Sequence, residues 1–396
     1  MTMYRRPSRR NEREPVPLRS RAIWFAYGAR DALDGPTLGC GARQTRPSCG
    51  RFSKACRFSP GCLSTYARST RIPPTRYCMN NSHTRKHSLR QGAWRHIGRK
   101  DGLSMRPSTF KLFRPVTVDE AVALLNTHAP DIRVLAGGQS LMPIMKLRLA
   151  APGQLVDLMK LEELQGITRE ADGTVVIGAM TTHDAVASSG LLAERLPVLA
   201  ETATHIADMQ VRNRGTIGGA CCQFLSESDY PPVLTILSAE FEIRAASGTR
   251  RIAAADFFQT ALVTAVGDGE LLTSIRIPSL PPRTGGAHDK ITRRFNDFGL
   301  ISGAALITLT DSDRASDVRV ALGNVGPRPV RASSVEAALI GQVLGGETIA
   351  SAASAVTADV YPADDNHASA DYRRKVAPVL VERLLLSANH HAKEVQ

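Results

Sequence analysis

The feature that most constrains this chain is a break in its character at residue 104. Residues 1–104 carry 22 Lys and Arg against 5 Asp and Glu, whereas the 292 residues that follow carry 28 against 32. The formal charge of +13 therefore belongs to the first quarter and says nothing about what the rest binds. That quarter holds 13 Leu, Ile, Val and Phe in 104 residues. This is about an eighth, below the roughly 20% at which a highly charged chain fails to bury a core. Folded structure is thus expected from about residue 105 onward, a length that suits two domains.

Residues 1–104 offer several readings. Ala22–Tyr27 is too short and too soon followed by Asp31 and Asp34 to be the apolar part of a secretory signal, which takes about 7–15 residues. Cys62, Cys78, His83 and His87 could ligate zinc, but no C-x-x-C pair supports them. A basic arm with Tyr66, Tyr77 and Trp94 available for stacking has no accompanying nucleic-acid-binding fold, so no nucleic-acid partner is expected. The expectation is a disordered extension, or a start placed too far upstream, because protein-like patterning begins at Met105-Arg106-Pro107-Ser108-Thr109-Phe110.

Past Met105 the periodicities are clear. Thr117-Val118-Asp119-Glu120 is a capping box opening a helix to about Asn126. Strands are expected at Ile132–Leu135 and Gln154–Leu158, and a hairpin from Gln165–Arg169 to Thr174–Gly178 about Asp172-Gly173. Asp184 to about Met209 reads as helical with a break near Pro197. A second hairpin joins Ala239–Ala245 to Arg250–Ala253, and Glu270–Ile277 is a further strand. Pro278-Ser279-Leu280-Pro281-Pro282, extended by Arg283–Ala287, reads as a linker. Strands at Lys290–Phe295, Ile301–Thr310 and Val318–Val325 then precede helices near Ser334–Ile340, Thr348–Val356 and Ala370–Ser387, an α+β order. No apolar run is long enough to span a membrane.

Chemistry is suggested by two Gly-Gly turns about 80 residues apart, Gly137-Gly138 and Gly218-Gly219. Glycine lets backbone amides approach an anion without an intervening Cβ, and successive amides make a nest for phosphate oxygens. The first turn leads from a strand through Gln139 and Ser140 to an apolar helix start at Leu141, and the second carries Thr216. Either pair alone is ordinary turn punctuation. Two such turns beside hydroxyl and amide residues suit a diphosphate held between them. The nicotinamide and ATP fingerprints, G-x-G-x-x-G and G-x-x-x-x-G-K-[ST], are both missing.

With those motifs in place, residues 105–390 resemble the flavoprotein (medium) subunit of the molybdenum hydroxylases, the aerobic carbon monoxide dehydrogenase and xanthine dehydrogenase family. Leu135-Ala136-Gly137-Gly138-Gln139-Ser140-Leu141 resembles the family's first FAD-diphosphate loop, and Thr216-Ile217-Gly218-Gly219-Ala220 its second. Arg212-Asn213-Arg214-Gly215, Ile275-Arg276-Ile277-Pro278 and Ala370-Asp371-Tyr372-Arg373-Arg374 keep the family order. The resemblance implies an α+β protein: a two-subdomain FAD-binding domain of the vanillyl-alcohol-oxidase/PCMH type at 105–282. A carbon monoxide dehydrogenase flavoprotein C-terminal-like domain would follow at 287–390, with a three-stranded antiparallel sheet and helices.

The resemblance also assigns roles. The two loops would hold the diphosphate through amides, with hydroxyls from Ser140 and Thr216. Asp229 would be an acidic FAD ligand, Leu272 an apolar flavin contact and Lys290 a lysine near the isoalloxazine. Phe298 is as much a flavin-facing aromatic as a packed core residue. The second loop departs from the family by ending in Ala220 where Asn is usual, a lost amide contact of about 1 kcal/mol that the neighbouring Gln223 could replace. Cys221 and Cys222 are expected to be structural, not cluster ligands, and Thr182 beside His183 to be a helix cap.

The function so implied is an electron-transfer subunit of a cytoplasmic complex. A molybdopterin-containing large subunit and a [2Fe-2S] small subunit would be its partners, and NAD, a quinone or oxygen its acceptor. FAD redox chemistry needs no protein nucleophile or base and no metal ligands here. The alternatives are a free-standing FAD oxidase or dehydrogenase, or a degenerate scaffold without FAD.

Overall fold

The computed structural model describes residues 106–394. Met105 and the signal, zinc and basic-arm readings of residues 1–104 fall outside them. The first layer is a three-stranded parallel sheet of β1 (Lys111–Phe113), β2 (Ile132–Leu135) and β3 (Gln154–Asp157), in the order β1-β3-β2. Parallel neighbours need crossovers, here α1 (Val118–His128) and α2 (Leu141–Lys146). Thr117 caps α1 by accepting from Glu120 N at 3.2 Å, while the Glu120 carboxylate takes the amide of Val116, one residue earlier than a standard box. Ala121, Val122 and Leu125 of α1 pack with Ile132 and Val156 of the strands.

A five-stranded antiparallel sheet forms the second layer, in the order β4-β5-β10-β6-β7. Its members are β4 (Ile167–Arg169), β5 (Val175–Gly178), β6 (Glu240–Ala245), β7 (Gly248–Ala253) and β10 (Leu271–Ile277). Six short helices lie between β5 and β6: α3 (His183–Ala187), α4 (Gly190–Arg195), α5 (Pro197–Thr204), α6 (Met209–Arg212), α7 (Ile217–Gln223) and α8 (Tyr230–Ile236). The stretch expected to break once, near Pro197, breaks also at Ser188-Ser189. There the Ser189 hydroxyl accepts from Leu192 N and starts a new helix instead of continuing the old one. A short helix α9 (Ala254–Phe257) and a ribbon of β8 (Phe258–Thr260) and β9 (Val263–Thr264) lead into β10.

The third layer is the expected three-stranded antiparallel sheet, β11 (Thr284–Ile291), β12 (Ile301–Leu309) and β13 (Ala315–Gly323), extended by the two-residue β14 (Val330–Arg331). Helices α10 (Ser333–Leu339), α11 (Gly346–Ala353) and α12 (Ala370–Glu394) complete it. β11 begins six residues before its expected start, inside the stretch that reads as linker. The reason is packing: a Cβ on Gly285 would stand 2.1 Å from the Ala392 amide, so this small residue is where the α12 backbone lies on the strand. All nine residues of β12 are buried, with α12 and α8 both packed on it. Ala304, Leu306 and Ala321 share a core with Val233 and Leu234 of α8. Among the described residues no helix is long and apolar enough to cross a membrane.

Arg373 anchors the start of α12. It is 1% exposed, and its guanidinium donates to the carbonyls of Leu300, Ala363 and Ala368 and pairs with Asp365. Burial pushes the Asp365 carboxyl up, but the amides of Ala368 and His367 and then Arg373 outweigh it and hold it below the usual carboxylate range. Leu300 closes the 292–299 loop, whose far side borders the cavity described below. Arg373→Met should cost about 2 kcal/mol in urea unfolding, because the freed carbonyls only partly regain partners from water. A variant as stable as the parent would show that water replaces the guanidinium completely.

Candidate cofactor site

The first Gly-Gly turn is a set of unspent donors. Among the described residues the amides of Gly137, Gly138, Gln139, Ser140 and Leu141 have no hydrogen-bond acceptor. Gly138 reaches the left-handed region, φ +74°, which curls these donors toward one side. Ser140 stands at the N-cap of α2 with a hydroxyl that caps nothing, and Gln139 folds back with Nε2 3.4 Å from the Gly137 carbonyl. A Cβ on Gly137 would lie 2.0 Å from the Arg214 carbonyl oxygen, so the first turn rests directly on the backbone that leads into the second.

The second turn is built differently. Ile217 N donates to Thr181 O, Gly218 N to Ala179 O, Ala220 N to Thr216 O and Gly219 N to the Thr216 hydroxyl oxygen, all at 3.0–3.1 Å. The amides expected to form a second nest are therefore consumed by the fold. The Thr216 oxygen accepts, which leaves its own O–H free to donate.

The two turns, packed against each other, both line a cavity of about 760 Å³, within the range of ligand sites. Every residue assigned a cofactor contact from sequence lines it except Leu135 and Ile217. Leu135 sits beneath Gly138, 3.4 Å from where a Cβ would be, and Ile217 is wholly buried under the second turn. Leu272 contributes to an apolar wall with Leu271. Gln223 also reaches the cavity, as a stand-in for the Asn that Ala220 replaces would have to. Phe298 is 57% exposed at the rim, so the core-packing reading of this residue is not what the fold uses.

Asp229 and Lys290 meet at the junction of the second and third layers. Lys290 Nζ lies 2.8 Å from Asp229 Oδ2 and 3.0 Å from the His205 carbonyl. His288 Nε2 is 3.7 Å from Asp229 Oδ1, too far for a hydrogen bond, and both His288 nitrogens and Asp229 Oδ1 are buried without a partner. Burial alone would raise the Asp229 carboxyl; the nearby His288 and Lys290 outweigh it and hold the carboxyl below its ordinary value. His205 stacks on His288 with ring centroids 6.1 Å apart. Neither histidine carries a sequence signal, because Asp229 lies 59 residues from His288 and the two stacked rings are 83 residues apart.

Cys221 and Cys222 are inert. Burial raises the Cys221 thiol well above its usual range and pushes Cys222 up to about 12, so neither supplies a thiolate at neutral pH. Among the described residues no group of His, Cys, Asp and Glu could hold a metal ion. Thr182 is the helix cap expected of it, accepting from Ala185 N, and His183 behind it also lines the cavity.

Residues 108–280 match the family model described as the FAD binding domain in molybdopterin dehydrogenase, and residues 287–388 that of the CO dehydrogenase flavoprotein C-terminal domain. The chain is 40% identical over 289 residues to the carbon monoxide dehydrogenase medium chain of Afipia carboxidovorans, covering 73% of this chain and 100% of that one. The chain belongs to this family. It is 34% identical to the 6-hydroxypseudooxynicotine dehydrogenase complex subunit alpha of Paenarthrobacter nicotinovorans, over 73% of this chain and 97% of the relative. In three dimensions it is similar to carbon monoxide dehydrogenase from Hydrogenophaga pseudoflava, with TM-score 0.70, 39% identity, and 72% and 99% of the two chains covered. The molecule is thus an FAD-containing medium subunit of the molybdenum hydroxylase type, an oxidoreductase subunit with the PCMH-type FAD-binding fold. The cavity fits that cofactor: five residues with unpartnered amides line it, together with apolar Leu271 and Leu272 and the Asp229–Lys290 pair.

Proposed function

We propose that the chain passes electrons through FAD, from the [2Fe-2S] clusters of a small subunit to an external acceptor, inside a complex whose large subunit carries molybdopterin. The acceptor would be NAD, a quinone or oxygen. Bound FAD supplies the redox chemistry, and the protein supplies binding, orientation and electrostatics. The observation that carries this reading is the set of five free amides from Gly137 to Leu141, set against a second turn whose amides are already spent.

In this reading the first turn receives the diphosphate oxygens, Ser140 and Thr216 add hydroxyl donors, and Leu272 lies against the apolar part of the cofactor. Asp229 and Lys290 bring a neutralised pair to the same cavity, so the site gains polarity without net charge. Phe298 covers the rim. The division into an FAD-binding part, 105–282, and a C-terminal part, 287–390, belongs to the same proposal. It is supported by the separate core of the third layer, whose buried residues run from Ala287 to Ala392.

The test is the visible spectrum of the purified full-length chain, followed by identification of whatever cofactor is released on denaturation. FAD, with bands near about 370 and 450 nm, is the expected result. Co-expression with the two partner subunits should then yield a complex whose flavin bleaches on substrate addition. A folded, colourless protein that takes up no added FAD would overturn the reading and favour a scaffold role, with Ala220 as the first residue to restore to Asn.

A further inference from the structure

Because the second turn spends its amides internally, an anion on that wall must be met by side chains. Thr216 offers one donor. The other group at the right place is His183. Its backbone amide donates to the Gly215 carbonyl at 2.9 Å, and a Cβ on Gly215 would stand 2.7 Å from its Cδ2 and Nε2. Since Gly137 rests on Arg214 and Gly215, the ring edge of His183 adjoins the very backbone on which the donor nest sits.

The ring is 4% exposed. Nδ1 lies 3.0 Å from the Tyr230 hydroxyl, itself buried and with no other partner among the described residues. Nε2 bonds to nothing, yet it is not among the polar atoms sealed from solvent without a partner, and His183 lines the cavity. Nε2 is therefore the nitrogen that remains open to a ligand.

Which nitrogen carries the proton follows from Tyr230. Burial, with Cys221 and Asp229 behind it, holds the phenol well above its ordinary value, so Tyr230 keeps its hydrogen. If Nδ1 were the donor, the phenol hydrogen would be left buried and unsatisfied, a desolvation cost that nothing offsets. If the phenol donates to Nδ1, both atoms of that bond are satisfied and the imidazole proton sits on Nε2, open to the cavity. Burial, and then Arg212, push the imidazole down to about 4 against the opposing pull of Asp229, so the ring is neutral.

We infer that His183, held in the Nε2–H tautomer by Tyr230, is a neutral hydrogen-bond donor to a diphosphate oxygen of the cofactor on the second-turn wall. This rests on the proposed FAD-binding role of the two turns. His183 is a ligand-contact residue in this assignment and Tyr230 a positioning residue. A neutral donor here adds no fixed charge to the cavity.

The experiment uses the full-length chain, with flavin removed, titrated with FAD and separately with riboflavin, which lacks the diphosphate. His183→Phe should weaken FAD binding by about tenfold or more, as for a hydrogen bond to a charged group, and leave riboflavin binding unchanged. His183→Gln, which restores an N–H donor, should stay within about threefold of the parent. Independently of any variant, the ¹⁵N shifts of His183 should report an Nε2–H tautomer, and Tyr230→Phe should mix the two tautomers while the fold survives. An Nδ1–H tautomer in the parent, or FAD and riboflavin affinities that fall together in His183→Phe, would overturn the assignment even if FAD binds the parent normally. Failure of the parent to bind FAD at all would instead remove the functional reading beneath it.

Discussion

Full-length protein carrying Gly137→Ala should lose its FAD, with occupancy falling by at least about tenfold, the equivalent of 1.4 kcal/mol. The added methyl would stand 2.0 Å from the Arg214 carbonyl oxygen, 2.7 Å from its carbon and 2.8 Å from Gly215 Cα. These are backbone atoms, so no rotamer change relieves the contact and the two turns must separate. Overpacking of this kind costs about 3 kcal/mol or more when the neighbour cannot yield. It also moves the donor nest away from Thr216 and His183. Gly138→Ala gives the contrast. Its nearest atoms are side chains, Met142 Cγ at 3.3 Å and Leu135 Cδ1 at 3.4 Å, and its penalty is mainly the φ of +74°, about 1–2 kcal/mol. Gly153→Ala meets nothing within 4 Å and should be silent. The check is flavin-to-protein ratio and thermal midpoint for the three variants. If Gly137→Ala retains stoichiometric FAD, the apposition of the turns does not control binding.

What could be read from sequence was local. The Thr117 cap, the Asp172-Gly173 hairpin and the strand running into Gly137-Gly138 all depend on neighbours within a few residues, and the structure has each of them. What could not be read was where long-range partners arrive. Gly218 and Ile217 look like nest residues because nothing nearby takes their amides; Ala179 and Thr181, nearly forty residues upstream, do so. Gly285 looks like a linker residue until α12, a hundred residues on, is laid across it. In both places a small residue marks close packing of distant backbone, and its local surroundings resemble those of a flexible turn. His205 and His288 were invisible for the same reason: a stacked pair bridging two layers has no local pattern. The turns' glycines were therefore a sound pointer to the cavity, but a poor guide to which wall keeps its donors.

Lys290→Met should destabilise the chain by about 3–5 kcal/mol near pH 7.5, the usual cost of stripping one partner from a buried ion pair. Asp229 and Lys290 are 6% and 10% exposed at the side chain and lie 2.8 Å apart, so the remaining carboxylate would lose its bonded counter-charge in a poorly hydrated place. Methionine keeps most of the aliphatic stem, which confines the change to the charge and its bonds to Asp229 and His205. The pH dependence carries the argument. In the parent the Asp229 carboxyl is held below its ordinary value, so its contribution is present above the usual carboxylate range and disappears as pH falls through the lower, folded value. In Lys290→Met the lowering influence of His288 remains and that of Lys290 is gone, so burial draws the carboxyl up from where the parent holds it and the deficit should shrink on acidification as Asp229 takes up a proton. His288 Nε2 stays 3.7 Å from the carboxylate, and His288→Phe in the Lys290→Met background should deepen the loss by removing that polar neighbour. Asp229→Asn in that background should recover much of it, because two uncharged side chains leave no buried ion. Urea unfolding at pH 7.5 and 5 decides the matter. A Lys290→Met protein whose deficit is the same at both values would mean that the lysine acts through packing and its bond to His205, and that the charge of Asp229 is compensated from elsewhere.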